Sequence, residues 1–308
     1  MGSVWQGDEC LPTESLEARA LQVATGLIEE GLSPGDGVGI YLRNDFAFFE
    51  ISRGAALMGA YPVAINWHYT PTEAEYLFND SGIKALVIHA DLLSKVRQVI
   101  PDHVRILSVP VPKTIQLAYG VSDAQCAVQP GDIDWNLWRQ SFEPTPRDPE
   151  QLPSTIIYTS GTTGKPKGVR RPMATPEQMA ISRRMLGISY GFDGYEGRGE
   201  AITTAVVGPI YHSAPNAHAS FCFRKGANIV ITPRFDPENL LALIERHQIT
   251  HLNMVPIMFN RLLKLPQSVR DAYDVSSLQF VAHASAPVSP PIKRAMIEWW
   301  GPVINEYY

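Results

Sequence analysis

The chain has 308 residues, 45% hydrophobic and 19% charged, the balance of a globular protein long enough for two domains or lobes. A formal net charge of −5 excludes a general attraction to nucleic acid or anionic membrane, so any role for lysines is local. No uninterrupted apolar run approaches the roughly 18 residues of a membrane span. Cys10, Cys126 and Cys222 are odd in number, widely separated and in no CxxC pattern, which argues against a disulfide framework or a zinc site. With a polar, acidic start that is no secretory signal, the expected location is the cytoplasm.

In chain order, Pro12-Thr13-Glu14 opens a helix with Leu16, Ala20, Val23, Ala24 and Leu27 on one face and Gly31 at its end. Ser33-Pro34-Gly35-Asp36 reads as a turn and 37–42 as a strand. Gly35, Gly37 and Gly39 invite a dinucleotide reading. In that fingerprint, however, the glycines follow a strand, whereas here they precede one and the third glycine is missing. A helix over 45–58 is closed by Gly59, and a strand follows over 61–65. Thr70-Pro71-Thr72-Glu73 is a capping box with proline at the first helical position, opening a helix to Phe78. Strands over 85–88 and 104–107 with a helix over 92–99 complete an alternation that implies parallel pairing, a first α/β lobe over 1–108. Over 109–153 the periodicity fades and prolines recur. Trp135 and Trp138 mark one short helical turn in this irregular connection, which is not read as disorder because the tryptophans need a surface to pack on.

Residues 158–169 read Tyr-Thr-Ser-Gly-Thr-Thr-Gly-Lys-Pro-Lys-Gly-Val, directly behind the apolar strand Thr155-Ile156-Ile157-Tyr158. Gly161, Gly164 and Gly168 permit positive φ and close backbone approach to a ligand. Thr159, Ser160, Thr162 and Thr163 are hydroxyl donors, and Lys165 and Lys167 are point charges; together these are the parts of a polyphosphate cradle. It is not a Walker loop. Counting from Gly161, the second glycine's position holds Pro166, and Gly168 is followed by Val169. Pro166 and Gly168 around Lys167 suit a flap better than the first turn of a helix.

Beyond the loop the alternation resumes: helices near 179–186, 214–223, 237–247, 257–265 and 290–300, with strands over 202–207, 228–231, 250–255, 278–283 and 303–307. The second lobe is therefore expected over 154–308, phosphate loop included. No internal repeat has a fixed period. Tyr211-His212 falls just past a strand, where open α/β sheets place ligands, although a lone histidine there is also an ordinary surface or capping residue.

The unbroken stretch 158–169 resembles the phosphate-binding signature of the adenylate-forming (AMP-binding) superfamily: acyl- and aryl-CoA ligases, luciferases and peptide-synthetase adenylation domains. The resemblance covers nearly the whole chain. It implies two doubly wound α/β subdomains of an adenylate-forming N-terminal domain, truncated before its end. ATP would be held at Thr159, Ser160, Gly161, Thr162, Thr163 and Gly164, with Lys165 and Lys167 as phosphate partners. Gly208-Pro209-Ile210-Tyr211-His212 resembles the Pro-x-aromatic-His segment of CoA ligases, implying a gate at the carboxylate. Tyr211, His212, Ala214, Asn216, Ala217 and Phe221 would line the acyl pocket. Amino-acid-activating relatives carry an aspartate about here, and His212-Ser213-Ala214 has none, which disfavours an amino-acid substrate.

His283-Ala284-Ser285-Ala286-Pro287 resembles the family's adenine loop, with Ala284 and Ser285 where relatives commonly carry Gly-Gly. Asn305-Glu306-Tyr307-Tyr308 resembles the start of Tyr-Gly-x-Thr-Glu, with Tyr308 as the ring stacked on adenine. The glutamate expected to hold Mg²⁺, and the small C-terminal lid domain with its adenylation lysine, would lie beyond Tyr308. The implied activity of the complete enzyme is ATP-dependent conversion of a fatty, steroid or aryl acid to acyl-adenylate and then, with CoA, to acyl-CoA. This chain would be an N-terminal fragment inactive alone. The alternatives are a non-catalytic nucleotide-binding or interaction module and a phosphotransferase.

Overall fold

The computed structural model describes residues 2–147, 152–159 and 166–307. Strands β1 (Ser3–Gln6) and β2 (Glu9–Pro12) precede helix α1 (Thr13–Glu29), then β3 (Gly37–Tyr41), α2 (Phe46–Leu57), β4 (Tyr61–Ala64) and α3 (Pro71–Ser81). Next come β5 (Ile83–His89), α4 (Ala90–Val96), β6 (Arg105–Val109), and the short helices α5 (Lys113–Tyr119), α6 (Asp123–Cys126) and α7 (Trp135–Gln140). Strands β7 (Ile156–Thr159) and β8 (Lys167–Gly168) flank the phosphate loop and lead to α8 (Pro176–Ser189). The remainder runs β9 (Thr203–Val206), α9 (Ser213–Arg224), β10 (Asn228–Ile231), α10 (Pro237–His247), β11 (His251–Met254), α11 (Pro256–Leu263) and α12 (Gln267–Arg270). It closes with β12 (Phe280–His283), α13 (Pro290–Trp300) and β13 (Ile304–Glu306).

Two compact units result, residues 14–179 and residues 1–13 with 180–308. The first is built on a sheet of order β6-β5-β3-β4-β7-β8, parallel except for the β7–β8 hairpin. The second is built on β13-β12-β11-β9-β10-β1-β2, parallel except for β1–β2. Both sheets wind alike. The first strand of the winding, β3 or β9, becomes central. The next, β4 or β10, pairs on one side, and the following two cross to the other. That crossing is a topological switch point, and it opens at the carboxyl ends of the strands. The expected doubly wound class is the observed one, and the winding recurs without any sequence repeat.

The boundary expected at 154 is displaced. β7 pairs in parallel with β4, Val63 opposite Ile156, so the strand feeding the phosphate loop belongs to the first unit. The N-terminal residues, to which the sequence assigned no element before the helix, add two strands to the second unit. β1 pairs with β10, Val4 opposite Ile229, a contact too distant in sequence for local patterning to reveal.

Local chemistry explains several elements. The capping box forms: Thr70 Oγ1 accepts from Glu73 N, and Glu73 Oε2 accepts from Thr70 N at 2.8 Å. All five β3 residues are buried, and a Cβ at position 39 would lie 2.8 Å from Leu86 Cδ1. Gly39 is therefore a packing glycine, in keeping with the rejected dinucleotide fingerprint. The connection over 109–153 carries α5, α6 and α7, more helix than the single turn expected. Trp135 and Trp138 stack at 5.5 Å, and their indole N–H groups donate to Glu50 Oε2 and Glu30 Oε1, each at 2.9 Å. Indoles with an apolar body packed and a polar tip satisfied hold this segment to its unit.

At the carboxyl end of β3, Arg43 donates to both Asp91 oxygens at 2.9 and 2.8 Å, and both side chains are buried. Its guanidinium lies 4.8 Å from the Trp67 ring centroid and 4.6 Å from that of Tyr119. Arg43 N donates to His89 Nδ1 at 3.1 Å, so His89 Nε2 carries the proton given to Asp45 Oδ2 at 3.0 Å. Removing one charge from such a pair strands the other in a buried site. Asp91→Ala is expected to lower the stability of the protein by about 3–5 kcal/mol, read from the urea midpoint. A loss below about 1 kcal/mol would show that the pair is a surface-like contact.

Candidate nucleotide site

In the second unit the carboxyl ends of β9, β12 and β13 lead into the segments singled out above: 208–212, 284–286 and Tyr307. Ala284, Ser285, Ala286, Pro287, Glu306, Tyr307 and Ala214 line one open pocket of about 430 Å³. The structure therefore brings the three expected adenine-loop residues together with the first turn of α9. Small side chains at 284–286 leave room for a flat ligand against backbone. Ser285 adopts φ +73°, the left-handed region that favours glycine, so this loop has the conformation of a glycine turn without the glycine.

Glu306 and Tyr307 are pocket residues that sequence reasoning did not assign. Their only signal was adjacency to Tyr308. Tyr307 is held from several sides. Its N–H donates to His283 O at 3.2 Å, its hydroxyl accepts from Asn253 Nδ2 at 3.1 Å, and its ring meets Tyr190 edge-on at 5.8 Å. Tyr190 in turn packs against His218 at 4.9 Å and Phe221 at 5.5 Å. A row of buried rings thus runs from inside α9 to the pocket wall.

The residues expected in the acyl pocket separate. Tyr211 is buried against the exposed His212, ring centroids 4.4 Å apart. His212 is the N-cap residue of α9, but its side chain makes no capping bond. Asn216 is buried and donates to Ile210 O at 3.0 Å, tying the loop before α9 to the helix. Ala217 is partly buried on the same helix. Phe221 is 1% exposed and T-packed on Phe192 at 5.1 Å, the setting of a core side chain.

The phosphate hairpin belongs to the first unit. Thr159 pairs with Lys167 and Tyr158 with Gly168, and Thr159 and Lys167 are exposed at the open end. Tyr158 donates its hydroxyl to Asp80 Oδ2 at 2.7 Å, and burial, reinforced by that carboxylate, pushes its pKa well up. A Cβ at position 168 would fall 2.5 Å from Tyr158 Cε2. Gly168 is thus demanded by the ring crossing it, and not by the positive φ its sequence context suggested. Ser160, Gly161, Thr162, Thr163, Gly164, Lys165 and Tyr308 lie outside the described residues. Among the described residues no group of three or more His, Cys, Asp or Glu is arranged to hold a metal ion. No helix among them is long and apolar enough to cross a membrane.

A parallel α/β sheet with a small-residue pocket at the carboxyl ends of its strands is the arrangement in which open α/β folds commonly take ligands. Comparison with known families narrows it: the AMP-binding enzyme profile matches residues 11–308, and the chain belongs to that family. A similar curated protein is the medium/long-chain-fatty-acid–CoA/3-oxocholest-4-en-26-oate–CoA ligase of Mycobacterium tuberculosis, 27% identical over 303 residues, covering 95% of this chain and 54% of that protein. The mitochondrial medium-chain acyl-CoA ligase of Homo sapiens is 26% identical over 94% of this chain and 49% of its own. The chain thus spans about half the length of the curated relatives it matches. Among solved structures, the anthranilate CoA ligase AuaEII in complex with anthranoyl-AMP superposes with a TM-score of 0.77 at 20% identity, over 99% of this chain and 56% of that one. That likeness establishes the fold.

Two measurements probe the site's framework. Ser285→Gly is expected to raise stability by about 0.5–1 kcal/mol by relieving the positive φ, and Ser285→Val to lower it by about 1–2 kcal/mol. Urea midpoints of the three proteins should fall in that order. Burial pushes the His218 pKa down from 6.5 to about 3, so the folded protein keeps this imidazole neutral. The unfolded chain binds the proton more readily, so stability from this group is complete above pH 6.5 and is lost as pH falls toward 3. His218→Gln should flatten the stability profile across that window, and an unchanged slope would assign the acid loss elsewhere.

Proposed function

We propose that this chain is part of an ATP-dependent acid–thiol ligase that converts a carboxylic acid to an acyl-adenylate and then to acyl-CoA. The observation that carries this reading is the pocket of Ala284, Ser285, Ala286 and Tyr307 at the carboxyl ends of β12 and β13, in a chain that matches the AMP-binding family over 11–308. The small residues admit a purine against the backbone, with Tyr307 and Tyr308 as its aromatic neighbours. Glu306, acceptor-only when ionised, suits an exocyclic amino group and so favours adenine. The hydroxyls of 159–163, with Lys165 and Lys167, take the phosphates. In the first step the substrate carboxylate attacks the α-phosphorus, forming a carboxylate–phosphorus bond as the bond to pyrophosphate breaks. Lys167 offsets charge on the departing pyrophosphate. The attacking carboxylate is already ionised, so His212 has no proton to remove; its role is to orient or shield that group. In the second step the CoA sulfur bonds the acyl carbon and AMP leaves.

The acid is assigned to the fatty, steroid or aryl class. This rests on the missing carboxylate over 212–214 and on the relatives' printed activities, which include fatty acids and a cholestenoate. The lid domain and the Mg²⁺ glutamate are assigned to the remainder of a protein of the relatives' length, and the location to the cytoplasm.

Carboxylate-dependent ATP–pyrophosphate exchange tests the reading across a panel of fatty, steroid, aryl and amino acids. Exchange should be near background for residues 1–308 and present for a chain extended to the relatives' length. In that longer chain Lys167→Ala should lower exchange by about 100-fold. Robust exchange by residues 1–308 alone would show that the essential groups are misplaced, and release of ADP in place of AMP would identify a phosphotransferase.

A further inference from the structure

β12 and β13 end side by side, with His283 opposite Glu306 in the register. Glu306 is the one charged residue among the described residues lining the pocket. Its Oε2 accepts from Lys293 Nζ at 2.7 Å, and Lys293 stands in the first turn of α13. His283 is 0% exposed, and neither ring nitrogen has a hydrogen-bond partner. Its Nε2 is 3.9 Å from the same Glu306 oxygen, beyond hydrogen-bond reach. The Phe259 ring meets the imidazole edge-on at 5.5 Å. Burial holds the imidazole pKa below its ordinary value; Glu306 opposes that shift and Lys293 reinforces it.

An enclosed imidazole without a partner is costly, and a carboxylate lies about 1 Å short of relieving it. On its other side that carboxylate is paired with the lysine. We propose that Lys293 is a positioning residue for the pocket: its ion pair holds the Glu306 carboxylate at the pocket wall, against the competing pull of His283. This rests on the reading of the pocket as the purine site. With Lys293 in place, Glu306 presents an acceptor to a base bearing an amino group. Without it, Glu306 turns inward to His283, and the pocket loses both its charge and its preference for adenine over hypoxanthine. α13, which contributes no residue to the described lining, thereby sets base selectivity.

The test compares the 308-residue protein with Lys293→Met, Lys293→Arg and the double variant Lys293→Met/His283→Leu. AMP and IMP binding are measured by equilibrium dialysis, and His283 titration by imidazole NMR. Lys293→Met should weaken AMP about 5- to 10-fold and leave IMP little changed. In the same variant His283 should titrate at least about one pH unit higher, as a new carboxylate neighbour requires. Lys293→Arg should restore both values, and the double variant should recover part of the AMP affinity because Glu306 has lost its inner partner. A purely structural lysine would leave the AMP-to-IMP ratio unchanged, and loss of its charge alone would move the His283 titration only slightly. An unshifted His283 in Lys293→Met overturns the proposed competition. Wild-type protein that binds neither nucleotide overturns the purine reading instead, and the His283 titration still decides whether Lys293 and His283 compete for Glu306.

Discussion

Parallel strand pairing is the constraint from which the rest of this structure follows. A parallel strand must return by a crossover to start again at the same edge, so the carboxyl ends of the parallel strands in a unit open together at one end of its sheet. In the unit of 1–13 and 180–308 this places Ala214, Ala284 and Tyr307, each beyond the end of a different strand, around a single pocket. In the unit of 14–179 the same rule gathers Arg43, Trp67 and His89 at the ends of β3, β4 and β5. The two edges are used differently. One is filled by a buried ion pair between aromatic rings, and the other is left open with small side chains.

That difference is electrostatic as well as steric. Arg43 and Asp91 neutralise one another in a dry setting, and Glu50 is held by Arg19 at 3.1 Å and by the Trp135 indole. Most of these groups are matched within the unit, although Arg43 Nε is buried without a partner. Around the open pocket, Ser285 is held at positive φ and neither ring nitrogen of His283 has a partner. Sites that take ligands commonly carry such local cost, because groups arranged for something absent cannot also satisfy one another.

Much of this was legible in the chain itself. α10, α13 and β10 have the bounds their patterns predicted, since each carries its own start signal and a complete apolar period. The capping box at Thr70 was readable because its geometry is set within four residues. The phosphate hairpin was legible as chemistry, although its assignment to the first unit was not, because the pairing of β7 with β4 spans more than ninety residues. Phe221 and Asn216 show the opposite limit. A helix face facing a pocket and one facing a core have the same composition, and only the neighbours Phe192 and Ile210 separate them.

The sequence by itself determined the alternation of helices and strands, the Gly/Ser/Thr/Lys composition of 159–168 and the family resemblance, all of which reside in contiguous residues. Tertiary structure decided which sheet each strand joins, where the units divide, and that Glu306, Tyr307, Lys293 and His283 share one end of one sheet. The physical reason is range. Periodicity, capping and loop composition act over a few residues and leave a local trace. Strand order and side-chain partnership depend on contacts between segments far apart in the chain, and no local pattern records them.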